Sequence, residues 1–229
     1  MDKEKMSEDY AIKEADKHGA VSPAVIKRLP RYFRYLREIM REGITRISSG
    51  ELSERMNVTA SQIRQDLNCF GGFGQQGYGY NVPYLYTKVC EILGVGEGYT
   101  AIVIGAGNLG SALVRNPMFE KRGVDIAALF DVDSAKIGQK LGEIPILPIE
   151  ELEPFCRAHT VEVAVLTLPK DRACETAERL IALGIPGIWN FTGFELDRLN
   201  AGTVVENVHI GDSLMTLCYE LHRRDRRED

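Results

Sequence analysis

Apolar residues recur at helical spacing through the first third of the chain, and in strand-like runs broken by helical stretches after it. Val25, Ile26, Leu29, Phe33, Leu36 and Met40 follow a period near 3.6 and predict a first helix. Ser22-Pro23 supplies its cap and first-turn proline, and Gly43 ends it. Pro30 has no N–H to donate, so a kink or a broken helix is expected there. A short second helix is expected over residues 49–56, capped by Ser48 or Ser49, before a turn at Asn57-Val58. Thr59 opens a third helix over about residues 60–69, with Gln62 completing a capping box. Ile63 and Leu67 mark its buried side. Ser61, Gln62, Arg64, Gln65 and Asn68 occupy its other faces, and the pair of helices reads as a helix-turn-helix. Glycines and aromatics over residues 70–80 predict a hairpin, the wing of a winged helix. Pro83 starts a fourth helix over residues 84–93, and Gly94-Val-Gly-Glu-Gly98 reads as a linker.

Beyond the linker the text alternates. Strands are expected over residues 100–104, 125–131, 144–147, 161–168, 187–191 and 204–205, with helices from Leu109 and over 149–157 and 172–183. This order predicts an α/β fold, a doubly wound parallel Rossmann sheet following the winged helix-turn-helix. A last amphipathic helix over residues 210–222 carries Leu214, Leu217, Cys218 and Leu221 on one side. Its apolar face must be covered either by its own domain or by a partner subunit. The expected division is an extension, 1–20, too charged to pack; a winged-helix domain, 21–95; a Rossmann domain, 96–208; and a dimerisation helix and tail, 209–229.

Composition sharpens this in one respect. The 229 residues carry a net charge of −5, but unevenly. Residues 22–88 hold ten Lys/Arg against five Asp/Glu, a local +5, which leaves −10 for the rest. A basic module joined to an acidic one points to a polyanion as partner of the first. The five cysteines are scattered without a CxxC pair, and no histidine falls at metal-ligand spacing, so reduced, structural thiols and no metal are expected. No apolar run approaches a membrane span and no signal-peptide core is present, so the expected location is cytoplasmic.

The candidate chemistry centres on Val103-Ile-Gly-Ala-Gly-Asn-Leu-Gly110, three glycines in GxGxxG spacing between a strand and a helix. Gly105 makes the tight turn, Gly107 lets the backbone approach a pyrophosphate, and Gly110 lets helix and strand pack closely. Asp131 stands 21 positions after Gly110 at the end of the next strand, where a carboxylate accepts from a ribose hydroxyl. That acid, with no Arg after it, favours NAD(H) over NADP(H). Ligands bind at the carboxyl ends of such strands. The candidate cofactor residues are Gly105, Ala106, Gly107, Asn108, Leu109, Gly110, Asp131, Val132, Thr167, Leu168, Pro169, Asn190, Thr192 and Ile210. The candidate DNA contacts are Arg28, Arg46, Ser48, Ser61, Gln62, Arg64, Gln65, Phe73 and Tyr78, the third helix entering a major groove. A dehydrogenase would need a proton donor beside the hydride, and none of His18, His159, His209 or His222 stands in a catalytic setting. Tyr84-xxx-Lys88 imitates a dehydrogenase pair but precedes the glycine motif. No catalytic residue is assigned. The rival readings are an oxidoreductase with an appended DNA-binding domain and a DNA-binding protein whose Rossmann domain only dimerises.

Seven segments together resemble the Rex family of redox-sensing transcriptional repressors. They are Leu29-Pro30-x-Tyr32, Arg46-Ile-Ser-Ser49, Thr59-Ala-Ser-Gln-Ile-Arg-Gln-Asp-Leu67, Phe70-Gly-Gly-Phe-Gly74, Gly77-Tyr-Gly-Tyr-Asn-Val82, Gly105-Ala-Gly-Asn-Leu-Gly110 and Phe130-Asp-Val-Asp133. The resemblance covers about residues 22–222. It implies a homodimer that exchanges its C-terminal helix, binds palindromic operator DNA when NADH is scarce, and is released by NADH, with NAD+ competing. Two departures stand out. Gln65, Gln75 and Gln76 replace the Lys or Arg usual in the family, so a shallower salt dependence is expected. Some members couple a tyrosine after the glycine-motif helix, an acid at the swapped helix and an arginine in the first helix. The matching positions here are Asn116, His209 and Arg34, with Asp212 the nearest substitute acid.

Overall fold

The computed structural model describes residues 21–71, 73–75, 78–196, 199 and 202–225. The expected extension, 1–20, lies outside them, as do Gln76 and Gly77 of the wing. The chain divides into two compact units that meet between Val95 and Gly96.

The first unit has four helices, α1 (Pro23–Arg41), α2 (Ser49–Met56), α3 (Ala60–Asn68) and α4 (Val82–Ile92). Its three strands are β1 (Arg46–Ile47), β2 (Gly74–Gln75) and β3 (Gly79–Asn81), in the order β1-β3-β2 and antiparallel throughout. Strand β1 was not expected, since two residues are too few to show a period. Helix α1 is unbroken, so the break expected at Pro30 does not occur. Pro30 removes one ladder bond and costs about 3 kcal/mol in an ordinary helix interior. Here its ring is exposed, and Ile26, whose carbonyl it leaves free, is 42% exposed, so water can meet that carbonyl. Burial of Val25, Leu29, Tyr32, Phe33, Leu36 and Ile39 then holds the helix together. Ile26 and Met40 were expected in that core but are exposed; Tyr32 and Ile39 take their places.

The caps also differ from expectation in one place. Ser48 and Glu51 form a full capping box at α2. At α3 the Thr59 hydroxyl accepts from the Gln62 backbone N–H at 3.1 Å, but the Gln62 side chain turns to Asp66 instead of closing the box. Asn57 ends α2 in the left-handed region, φ 50°, which makes the tight turn between the two helices.

The second unit is built on seven strands: β4 (Tyr99–Ile104), β5 (Val124–Asp131), β6 (Lys140–Leu141), β7 (Ile144–Pro148), β8 (Val163–Leu166), β9 (Gly187–Asn190) and β10 (Val204–Asn207). Their order is β10-β9-β8-β4-β5-β7-β6. All pairs are parallel except β6–β7, an edge hairpin that periodicity does not reveal. Without β6 this is the Rossmann order, its reversal point between β4 and β8. Alternation along each strand feeds two cores. Ile102, Ile104, Phe130 and Leu166 face α6 (Leu152–Ala158) and α7 (Lys170–Ala182). Val103, Leu129 and Val165 share the other face with Phe119 and Leu113 of α5 (Asn108–Val114). Both faces are apolar because both are covered.

The final helix, α8 (Ile210–Asp225), is exposed along residues 210–224. None of the five cysteines is paired; four are half-buried, and Cys218 is exposed, contrary to the structural role expected for it.

Candidate nucleotide and nucleic-acid sites

At the reversal point Ile104 of β4 lies opposite Leu166 of β8, so the loops after these strands adjoin. Gly105 sits at φ +103°, and a Cβ there would come 2.7 Å from the Thr167 carbonyl oxygen. A Cβ on Gly110 would lie 2.0 Å from the Gly105 carbonyl oxygen and 2.7 Å from Thr167 Oγ1. Both glycines are therefore demanded by the protein's own packing. Thr167 Oγ1 donates to the carbonyls of Gly105, at 2.8 Å, and Ile104, at 3.1 Å, and so pins the turn from the neighbouring strand. Gly107 is different. Its φ of −77° suits any residue, and a Cβ there would meet nothing within 4 Å. It caps α5 with no side-chain bond, which leaves the first backbone N–H groups of that helix free for an anion. This open backbone fits a pyrophosphate. Asn108 is exposed, Leu109 half-buried and Ala106 buried.

Asp131 reaches the same turn. Its Oδ2 accepts from the Ala106 backbone N–H at 2.7 Å and its Oδ1 from that of Asp133 at 2.9 Å. Burial acts to raise its pKa, but these two N–H groups and Lys136 outweigh it and hold the carboxyl below the usual carboxylate range. Lys136 Nζ stands 3.4 Å from Asp131 and 3.3 Å from Asp133. A cation, Lys136 rather than an arginine, therefore does follow the acid. Val132 beside it is 78% exposed.

The ends of β8 and β9 complete the crevice. Leu168 is half-buried, and Pro169 is exposed at the start of α7. Asn190 is 1% exposed, and each end of its amide is used. Its Nδ2 donates to the Phe194 carbonyl at 2.6 Å and to Asn207 Oδ1 at 2.7 Å, and its Oδ1 accepts from the Thr192 N–H and hydroxyl. Asn207 Nδ2 donates to Glu195 Oε2 at 3.1 Å, and Glu195 Oε1 lies 2.7 Å from His209 Nε2. A polar chain thus runs from the crevice end of β9 to the residue before α8. Glu195, absent from the sequence reading, is the acid that His209 meets. Asp212 is exposed in the first turn of α8, and Ile210 at its start is 61% exposed. Asn116 Oδ1 accepts from the Met118 N–H at 3.0 Å in a local turn.

In the first unit Ser61, Arg64 and Gln65 are exposed on α3. Arg64 Nη1 donates to Ser49 Oγ at 2.9 Å. Arg46 is exposed, its guanidinium 5.9 Å from the ring centre of Tyr78, which is itself 69% exposed on the wing. Phe73 is half-buried and packs edge-on to Tyr84. Ser48 spends its hydroxyl on the α2 cap. Arg34 is exposed near the Tyr35 ring. Two candidates are placed otherwise than expected. Arg28 is bound bidentately by Asp66, and Gln62 donates to the same carboxylate, so neither side chain is free to reach DNA with its full donor set. The sequence carried one sign of Asp66's burial: it shares the stripe of Ile63, Leu67 and Phe70 at helical spacing. Tyr84 and Lys88 both lie on α4 of the first unit, not in the Rossmann unit. Among the described residues no His/Cys/Asp/Glu group could hold a metal ion, and no helix is long and apolar enough to cross a membrane.

The chain is similar to known proteins along most of its length. Residues 20–68 match the family model described as "Putative DNA-binding protein N-terminus", and residues 97–194 match "CoA binding domain". The redox-sensing transcriptional repressor Rex of Thermoanaerobacter sp. (strain X514) is 48% identical over 91% of this chain and 93% of its own. That of Clostridium botulinum (strain Eklund 17B / Type B) is 49% identical over 91% of this chain and 99% of its own. Among solved structures, RSP in complex with β-NAD+ and operator DNA superposes with a TM-score of 0.84 at 47% identity, covering 91% of this chain and 96% of that one. RSP in complex with β-NADH gives a TM-score of 0.84 at 44% identity, covering 91% and 97%. With near-half identity across both units and the same fold throughout, the chain belongs to the Rex family of redox-sensing transcriptional repressors.

Proposed function

We propose that this protein is an NADH-responsive repressor that binds palindromic operator DNA as a homodimer and leaves it when NADH binds. The observation that carries this reading is Gly107. It is a glycine that neither backbone geometry nor packing requires, in the middle of a dinucleotide turn, in a chain that also carries a helix-turn-helix. The RSP complexes with NAD+ and operator DNA and with NADH support the same ligands here. Asp131 would accept from the adenosine ribose, and the free N–H groups of α5 would meet the pyrophosphate. Arg46 and Tyr78 would follow the DNA backbone at the wing, while Ser61, Arg64 and Gln65 face the bases. Such a regulator works in the cytoplasm, where its operator is.

The proposed mechanism is a population shift. One dimer geometry spaces the two α3 helices for successive major grooves, and NADH stabilises another that does not. To move the dimer from about 1:99 to about 99:1, NADH must prefer the released geometry by roughly 10⁴-fold. Fluorescence anisotropy of a labelled palindromic operator tests this directly. NADH should release the DNA at concentrations where NAD+ does not. Tight DNA binding that neither nucleotide disturbs would reject the reading.

Discrimination between the two redox forms is assigned to an apolar nicotinamide pocket that includes Ile210. The oxidised ring carries a positive charge that apolar surroundings disfavour. Ile210→Lys is expected to weaken NADH binding by about tenfold or more, the scale of one unpaired charge partly removed from water. Unchanged affinity in calorimetry would remove Ile210 from the pocket.

A further inference from the structure

Asp66 is the single charged side chain that is fully buried among the described residues, and it belongs to α3, the helix proposed to read DNA. Four donors converge on its two oxygens. Arg28 Nε and Nη2 from α1 bind at 2.7 and 2.6 Å, Tyr32 Oη from α1 donates at 3.0 Å, and Gln62 Nε2 donates at 2.8 Å. A second strut comes from the same helix. Arg31 Nη2 donates to the carbonyl of Met56, the last residue of α2, at 2.5 Å. Both helices of the helix-turn-helix are thus tied by arginines to α1.

A buried ion pair is a poor way to gain stability, because desolvation offsets most of its attraction. A planar guanidinium facing a carboxylate side-on has a different merit. Two parallel bonds fix orientation as well as distance, which apolar packing of Ile63 and Leu67 alone would leave free to slide or roll. From this geometry we infer that the Arg28–Asp66 fork is the seat that sets the roll of α3, and that Arg28 and Gln62 are positioning residues rather than DNA contacts. This rests on the DNA-binding reading above and sharpens it. Base readout narrows to the side chains on the exposed face of α3, Ser61, Arg64 and Gln65.

The test uses full-length protein, its folding and NADH affinity checked for every variant. It measures operator and random-sequence DNA binding across a salt series. The wild-type arm tests the DNA-binding reading itself: a wild type that does not prefer operator would sink that reading independently of the seat. Arg28→Lys keeps the charge and loses the fork. It should lower operator affinity about tenfold or more while random DNA is bound within about twofold of wild type. The apolar pair Arg28→Met with Asp66→Leu, similar in volume and free of any stranded charge, should show the same loss with an unchanged salt slope. A salt slope that falls by about one would instead make Arg28 a phosphate contact and overturn the assignment. Operator affinity unchanged in Arg28→Lys would show that no fork is needed, and would overturn it as well. If the apolar pair fails to fold, Gln62→Ala supplies the remaining reading. It should weaken operator binding with the loss of preference spread over the half-site, whereas preference lost at one base pair alone would restore Gln62 as a reader and reject the seat.

Discussion

Gly107→Ala is expected to lose about 10- to 100-fold in NADH affinity while the protein stays at least as stable as before, and Gly110→Ala is expected to lose stability. At Gly107 the backbone stands at φ −77° and ψ −170°, open to any residue, and a Cβ would have no neighbour within 4 Å. Alanine there introduces no clash, and by restricting the unfolded chain it can add about 0.4–1 kcal/mol of stability. Its methyl group would, however, occupy space where a pyrophosphate must lie against the backbone. An overpacked contact costs about 1–3 kcal/mol, which is the stated loss in affinity. At Gly110 a Cβ would sit 2.0 Å from a backbone oxygen, and backbone cannot swing aside as a long side chain can. The cost there is about 3 kcal/mol or more, a fall in Tm of roughly 10 °C for a domain of this size. Thermal melts and NADH titrations of the two variants separate a glycine needed for the ligand from one needed for the fold. Wild-type NADH affinity in Gly107→Ala would move the pyrophosphate away from this turn.

Leu214→Asp with Leu221→Asp is expected to convert the protein to monomers and to reduce operator affinity by more than 100-fold. Helix α8 presents Ile210, Leu214, Leu217 and Leu221 along one stripe, 61%, 60%, 54% and 52% exposed in the single chain. Sixteen residues are barely enough for a helix to persist without tertiary contacts, and leucines on it gain nothing from solvent. We therefore propose that a second copy covers this stripe. Fully burying an exposed leucine contributes about 1.5–3 kcal/mol; Leu214 and Leu221 are a little over half exposed and a twofold axis doubles each contribution, so together they supply about 3–7 kcal/mol. Replacing them with carboxylates removes that and adds like charges. The loss of DNA affinity follows because two linked half-sites bind about 10²- to 10⁴-fold more tightly than one. Sedimentation velocity and operator titration read the two effects. A dimer that persists at micromolar concentration would place the subunit contact on another surface.

The helix-turn-helix, the Rossmann strand order and the glycine turn were legible in the sequence because each is written in neighbouring residues. Periodicity marks an element where its own face is buried, as with Leu29 and Leu36 on α1 or Val103 and Ile104 alternating on β4. Capping residues and glycines act on backbone within a few positions of themselves, so Asn57 and Gly105 could be assigned from local rules and the α2 cap narrowed to Ser48 or Ser49. Those rules misjudged Gln62, where a buried carboxylate four residues on competes better than the helix end for its amide. The break they allow at Pro30 does not occur, on a helix side where both Pro30 and Ile26 are exposed.

By itself, then, the sequence determined the helices and the longer strands, that the sheet is parallel and doubly wound, and where a dinucleotide turn stands with Asp131 at the end of the next strand. Tertiary structure alone decided which charged side chains pair with one another. Arg28 and Asp66 are 38 residues apart, and His209 and Glu195 are 14 apart with a strand between them. Nothing in either segment's pattern names the other, because a charge is exposed by default and is buried only where folding happens to bring a partner with matching geometry. The same holds for α8. Its apolar stripe was plain in the text, but only the folded chain shows that, among the described residues, the stripe stays exposed.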